Sequence, residues 1–308
     1  MAADLSSFQR HDSAVHNIFG DAPTLEVLLE NKDYQFAHEA GVFIPSDNED
    51  TLYVTSNFIT DQETRQKRTQ ISRVVLPKDG SKARAEEINP PTVLPLPNGG
   101  VNYLHGIVML VDKFISRPFN SPNDVVAHKD GSLWFTDPKY GSEQGIRPPP
   151  RLPQQVYRFD PKTNSIRVMA DGFGRPNGIA FSPDQKIIYI TDTDSTHGDG
   201  SKDESRVSQI YAFDVTDQPF LTNRRVFAMA DVGIPDGIKT DQEGNVYSGC
   251  GDGINIWSPG GVLLGKILIE GGAANFCFGR DGQMFILNEN KIWVAQLGGR
   301  TKGALLNI

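Results

Sequence analysis

The chain has 308 residues and a formal charge of −8, from 30 Lys and Arg against 38 Asp and Glu. That balance argues against nucleic acid or an anionic membrane surface, both of which need clustered positive charge, and leaves a small molecule as the expected partner. Apolar residues are 38% of the chain, which excludes wholesale disorder, and two cysteines exclude a disulfide framework.

The opening stretch, MAADLSSFQRHDSAVHNIFG, has no basic start followed by an apolar run, so no secretory leader is read there. No apolar run approaches the roughly 18 residues of a membrane span. A cytoplasmic chain is expected, as a monomer or weak homodimer. Residues 1–30 read as a lead-in, and residues 31–308 as one domain of repeats. The first repeat is HEAGVFIPSDNEDTLYVTSN (38–57). PNDVVAHKDGSLWFTD (122–137), PNGIAFSPDQKIIYITD (176–192), PDGIKTDQEGNVYSGC (235–250) and ANFCFGRDGQMFILNE (274–289) come after it. Each has a polar head, an alternating strand, a turn and a second apolar strand. Asp-Gly at 130–131 and at 281–282 is a strong hairpin signal. Cys250 and Cys277 fall in apolar segments and read as small buried hydrophobes.

The heads are Glu39, Asn123, Asn177, Asp236 and Asn275, separated by 84, 54, 59 and 39 residues. A four-stranded propeller blade takes about 40–50 residues. The gap of 84 then holds two blades, and the fold class is all-β, a six-bladed β-propeller. A β-sandwich with turn-rich repeats is the competing reading, but it does not explain why a polar residue opens each repeat.

In a propeller the first strand of each blade lines the central axis, so the five heads converge on one ring. All are oxygen donors, which suits a hard divalent cation: Ca²⁺ first, with Mg²⁺ or Mn²⁺ behind it. Without an ion, Glu39 and Asp236 are like charges held in a narrow channel. One Pro-Asn-Gly triplet alone reads as a turn. Asn123, Asn177 and Asp236 in register, with Glu39 at a matching head, read as a metal site. At Asn275 the preceding Pro is replaced by Ala, and both ligation and substrate contact stay open.

The motifs RPFNSPNDVVAHKDGSLWFTDPKYG, DGFGRPNGIAFSPD and PDGIKTDQEGNVYSGCGDG, with HEAGVF near the start, carry a resemblance. The chain resembles the gluconolactonase/senescence-marker-protein (regucalcin-like) family of calcium-dependent six-bladed propellers, and within it the fungal lactonohydrolase-like branch. The resemblance implies Glu39, Asn177 and Asp236 as ligands, with Asn123 beside the ion or bound to it. It implies hydrolysis of a cyclic ester. After LPNGGVNYLHGIVML (96–110) the sequence is shorter than in similar chains, so the second blade is expected to be abbreviated.

On that reading Asp236 takes the proton of the attacking water or orients it, and Asn123 and Asn275 orient the substrate. His105 and His197 lie in loops expected at the channel mouth, where they can contact substrate or supply a proton. Strand alternation turns His38 away from the face of Glu39, which gives it a structural role. Asp137 and Asp192 read as loop anchors. Fold does not fix function, so three other readings stand beside this one. They are a phosphotriesterase, a biosynthetic propeller that cyclises or rearranges an apolar intermediate, and a non-catalytic interaction propeller.

Overall fold

The computed structural model describes residues 5–89, 96, 98–101 and 110–305. These residues form five four-stranded antiparallel blades around a common axis. Blade 1 comprises Glu39–Ile44, Glu49–Thr55, Ile71–Pro77 and Arg84–Ile88. Blade 2 is Val125–Ala127, Leu133–Asp137, Gln155–Asp160 and Ser165–Ala170. Pro176–Phe181, Ile187–Asp192, Gln209–Val215 and Leu221–Met229 make blade 3. Blade 4 is Ile238–Thr240, Val246–Cys250, Gly253–Trp257 and Leu263–Leu268. Blade 5 takes Asn275–Phe278, Gln283–Asn288 and Lys291–Gln296 from the C-terminal part of the chain and Thr24–Glu30 from the N-terminal part.

Alternation builds each blade. Along Glu49–Thr55, Leu52 and Val54 are fully buried while their neighbours in sequence turn toward the opposite face. The faces so made pack blade on blade. Trp134 of blade 2 meets Phe181 of blade 3 edge-on, with ring centroids 5.4 Å apart, and Phe43 of blade 1 stacks on Phe285 of blade 5 at 5.7 Å.

The expected count of six blades is corrected to five among the described residues. By length alone, the gap of 84 residues between Glu39 and Asn123 fits two blades. Part of it is spent inside blade 1, where a two-stranded hairpin, Ile59–Thr60 with Lys67–Arg68, is inserted between the second and third strands. The stretch 89–124 that remains is shorter than a blade requires. Its described part holds a second short hairpin, Lys113–Phe114 with Arg117–Pro118, and the segment 98–101. That segment bridges the inner edges of blades 1 and 2: Thr55 Oγ1 donates to the Asn98 carbonyl at 2.9 Å, and the Gly99 amide donates to the Asn123 carbonyl at 2.8 Å.

Residues 24–30, expected in a lead-in, are the outer strand of blade 5, with Leu25 opposite Ala295. Phe8–Arg10 likewise adds a fifth strand to blade 4 along Leu263–Leu268. Sequence patterning assigns 1–30 no partner because its partners lie more than 250 residues away. Between the two strands, Val15, Ile18 and Phe19 are buried against Ile254, Ile256 and Met284. The ring therefore closes by pairing one end of the chain with the other. Truncating Phe19 to Ala should cost about 3–5 kcal/mol, as for a large aromatic removed from a tight core. Thermal or urea melts will read this, and a change below about 1 kcal/mol would show that the N-terminal segment does not hold the ring.

Candidate metal centre

Four of the five heads, Glu39, Asn123, Asn177 and Asp236, lie beside a bulge or ahead of their strands. The register of Glu39–Ile44 against Glu49–Thr55 shifts between Ala40 and Val42, and that of Pro176–Phe181 shifts between Pro176 and Ile179. Such bulges re-aim the side chain beside them, here Glu39 and Asn177. Asn123 and Asp236 precede their strands, each held by a backbone hydrogen bond to the second strand: Asn123 N–H donates to Thr136 O at 3.0 Å, and Asp236 N–H to Gly249 O at 2.8 Å.

A ladder of hydroxyls fixes the heads relative to one another. Thr136 Oγ1 of blade 2 donates to the Asn177 carbonyl of blade 3 at 2.6 Å. Thr191 Oγ1 of blade 3 donates to the Asp236 carbonyl of blade 4 at 3.0 Å. Thr55 of blade 1 makes the same bond to Asn98. The glycines after Asn177 and Asp236 make this spacing possible. A Cβ on Gly178 would lie 2.4 Å from the Asp236 carbonyl oxygen, and one on Gly237 would lie 2.4 Å from Asn275 Cγ.

Glu39, Asn123, Asn177 and Asp236 thereby line a single cavity of about 290 Å³ at one mouth of the ring. Glu39 and Asn177 are 2% and 4% exposed. Buried Oδ1 atoms of Asn123, Asn177 and Asp236 have no hydrogen-bond partner among the described residues. Three orphaned oxygens aimed into one cavity are costly unless something answers them. Burial raises the pKa of Glu39, and the nearby Asp236 carboxylate adds to that rise. Asp236 is raised as well, again chiefly by burial. No cluster of three or more His, Cys, Asp or Glu able to hold an ion occurs among the described residues. The donor set here is instead two carboxylates and two amides, all oxygen, which fits a hard divalent cation. The opposite mouth differs: its cavity of about 240 Å³ is walled largely by apolar side chains such as Val42, Val126, Phe181 and Phe278.

The remaining expectations divide. Asn275 is fully buried and outside the cavity lining; its Nδ2 donates to Glu39 Oε2 at 2.7 Å. Its expected contact with substrate is corrected to the positioning of Glu39. The reason is local: Asn275 lies in regular ladder opposite Leu287, with no bulge to turn it inward. His197 does line the cavity, with Nδ1 3.1 Å from Ser201 Oγ. His105 lies outside the described residues. Asp137 and Asp192 anchor loops as expected, accepting from the amides of Asn120 and Ser121 and of Gly174 and Arg175 respectively.

His38 is a correction. It lines the cavity, and its Nδ1 lies 2.7 Å from Glu289 Oε1. Burial works against the charged imidazole, but Glu289 outweighs it, helped by Glu39 and Asp236, and the pKa rises to about 9. Strand alternation does not reach His38, because the strand begins at Glu39 and His38 lies in the bend before it.

Three lining residues carry no signal strong enough to single them out in the sequence. Asn98 supplies the head of the abbreviated sector, and the triplet Pro97-Asn98-Gly99 in the sequence repeats the motif at 176–178, the signal that could have found it. Tyr140 opens a short helix, Tyr140–Glu143, and its hydroxyl meets Thr193 Oγ1 and, at 3.5 Å, Asn177 Nδ2. Arg147 lies just beyond that helix. Neither of the last two lies in a repeated motif.

Two measurements test this geometry. In chelator, Asp236→Asn should raise the melting temperature by about 2–4 °C, the shift that roughly 1 kcal/mol gives in a chain of this size. An unchanged or lower value would mean the two carboxylates do not oppose each other. Thr191→Val should cost about 1–3 kcal/mol, because it leaves the Asp236 carbonyl unanswered. A neutral result in denaturant melts would remove the hydroxyl ladder.

Comparison with known proteins bears on these residues. A family model described as the SMP-30/gluconolactonase/LRE-like region matches residues 30–289. A gluconolactonase of Zymomonas mobilis is 32% identical over 192 residues, covering 58% of this chain but only 51% of its own length. The lactonohydrolase oryL of Aspergillus oryzae is 26% identical, covering 94% of this chain and 72% of its own. Among solved structures, a gluconolactonase from Xanthomonas campestris superposes with a TM-score of 0.65 at 25% identity, over 96% of each chain. The match to the family model spans all the ring heads together, and the chain belongs to the SMP-30/gluconolactonase/LRE-like family.

Proposed function

We propose that this chain is a lactonase that depends on a divalent cation, most simply Ca²⁺, held by Glu39, Asn123, Asn177 and Asp236. The observation that carries this reading is the set of three orphaned, buried oxygens of Asn123, Asn177 and Asp236 facing one cavity. The names of the relatives from Zymomonas mobilis, Aspergillus oryzae and Xanthomonas campestris support the reaction class.

When bound, the cation supplies Lewis acidity toward a lactone carbonyl and lowers the pKa of a coordinated water. The residues of the chain do the rest. Asp236 Oδ1 orients the attacking water or accepts its proton. Water adds to the acyl carbon, the ring C–O bond breaks, and the ring oxygen leaves as a hydroxyl. Asn123 holds the substrate oxygen against the ring. Glu39 contributes charge, kept in place by Asn275 Nδ2. His38 and Glu289 form a charge-matched pair beside it. Tyr140 and His197 border the cavity where the alcohol part of the lactone would lie.

The test is turnover over a lactone panel, followed in a pH-stat with chelator and with Ca²⁺ restored. Activity is expected to vanish with chelator and return with Ca²⁺. Saturating cation at about 100-fold its dissociation constant should add about 2.7 kcal/mol to stability. Asp236→Ala should lower turnover by about 10²–10⁴-fold. Full turnover in chelator, or an Asp236→Ala protein with wild-type rates, would overturn the assignment.

A further inference from the structure

The cavity has one basic side chain that forms no ion pair among the described residues. Arg147 is the sole lysine or arginine among the described residues that line it. The other charged groups there have partners on the proposed reading: Glu39 and Asp236 would offset the divalent ion, and His38 is met by Glu289 at 2.7 Å. Arg147 belongs to no ion pair among the described residues, whereas Arg175, the other arginine braced against this helix, pairs with both Glu143 and Asp194. Asp137 feels the Arg147 charge only at a distance, without an ion pair; it is fully buried, and its oxygens accept from the amides of Asn120 and Ser121.

The guanidinium is also held in place. Nε donates to the Asn120 carbonyl at 3.1 Å, and Nη2 to the Phe119 carbonyl at 3.4 Å. Nη1 is left without a hydrogen-bond acceptor among the described residues. The backbone is anchored by the Arg147 amide on the Gly141 carbonyl at 2.9 Å, and Pro148, Pro149 and Pro150 stiffen the chain on its C-terminal side. Its stem lies on Gly141, where an added Cβ would come within 2.5 Å of Arg147 Cγ. A fixed guanidinium with a free edge, at a half-wet mouth, is suited to a carboxylate.

We infer that Arg147 selects the substrate, and that the substrate class is lactones bearing an anionic group, a carboxylate above all, on the part of the molecule away from the reacting carbonyl. This rests on the lactonase reading for the reaction and on the geometry of Arg147 for the choice of substrate. Arg147 is the one lysine or arginine lining the cavity and has no ion pair among the described residues, so an anionic group on the lactone would be the partner its free edge meets. It is a specificity-determining residue and takes no part in bond making.

The experiment compares glucaro-γ-lactone with glucono-γ-lactone, which differ by a carboxylate in place of a primary alcohol. The wild-type protein should favour the carboxylate lactone in kcat/KM by roughly 10- to 100-fold, the scale of one hydrogen-bonded charge. Arg147→Met should lose at least about tenfold more on the carboxylate lactone than on the alcohol. Arg147→Lys, which keeps the charge, should recover part of that preference, and raised ionic strength should shrink it. Equal kcat/KM for the two lactones in the wild type, or a preference that survives Arg147→Met, would overturn the inference. Should the Met variant fail to fold, Arg147→Gln gives the same comparison. Calorimetric binding of the two corresponding γ-lactams separates this claim from the parent reading. If neither lactone is hydrolysed but the carboxylate lactam still binds more tightly through Arg147, the hydrolase reading falls and the anion site stands. Equal affinities for the two lactams would remove the anion site.

Discussion

The structure depends on burying oxygen donors that the protein itself leaves unanswered. Glu39 and Asp236 are brought into one narrow cavity from opposite parts of the chain, and the Asp236 carboxylate makes Glu39 harder to ionise. Beside them, amide oxygens of Asn123 and Asn177 have no donor among the described residues. A fold whose only task was stability would not assemble this, because a buried unpaired polar group costs free energy and a buried like-charge pair costs more. The arrangement is what supports the proposed cation.

Holding that ring takes most of the inner framework. Threonines of blades 1, 2 and 3 reach across to the carbonyls of Asn98, Asn177 and Asp236, so these three are each set by the neighbouring blade's second strand. Glycines after Asn177 and Asp236 let the backbones approach closely. Asp124 takes the glycine place in blade 2, and its carboxylate accepts the Ile179 amide at 3.2 Å. The circle is then locked from outside by the N-terminal strand on blade 5. Between blades 1 and 2 the described inner segment is 98–101, and Thr55 and Asn98 preserve the hydroxyl ladder there. The ring of heads is thus continuous through the sector that carries least sheet among the described residues.

Chemical character at the mouth comes from outside the repeats. The connection after blade 2's second strand supplies Tyr140 and Arg147, and the connection after blade 3's second strand supplies His197. These two loops are tied together by Arg175, which is 3% exposed and bonds Glu143 on one side and Asp194 on the other. Rigid blades thus present loops that are themselves cross-braced, and a substrate would meet a preformed wall.

By itself the sequence determined the repeat, its β character and the four polar heads that line one cavity, because strand alternation and turn residues are local and the heads recur at one place in each unit. It was also enough to mark Asp137 and Asp192 as anchors. The blade count, the role of Asn275, the inward turn of His38 and the closure by residues 24–30 were decided only by the tertiary structure. Each depends on something that spacing does not encode: an inserted hairpin within blade 1, a bulge beside one head and not another, a bend before a strand, or a pairing between segments at opposite ends of the chain. Arg147 is the clearest case. In the sequence it is one basic residue before three prolines, and only packing against Gly141 and the carbonyls of Phe119 and Asn120 brings its charge to the cavity and leaves it there without a carboxylate partner among the described residues.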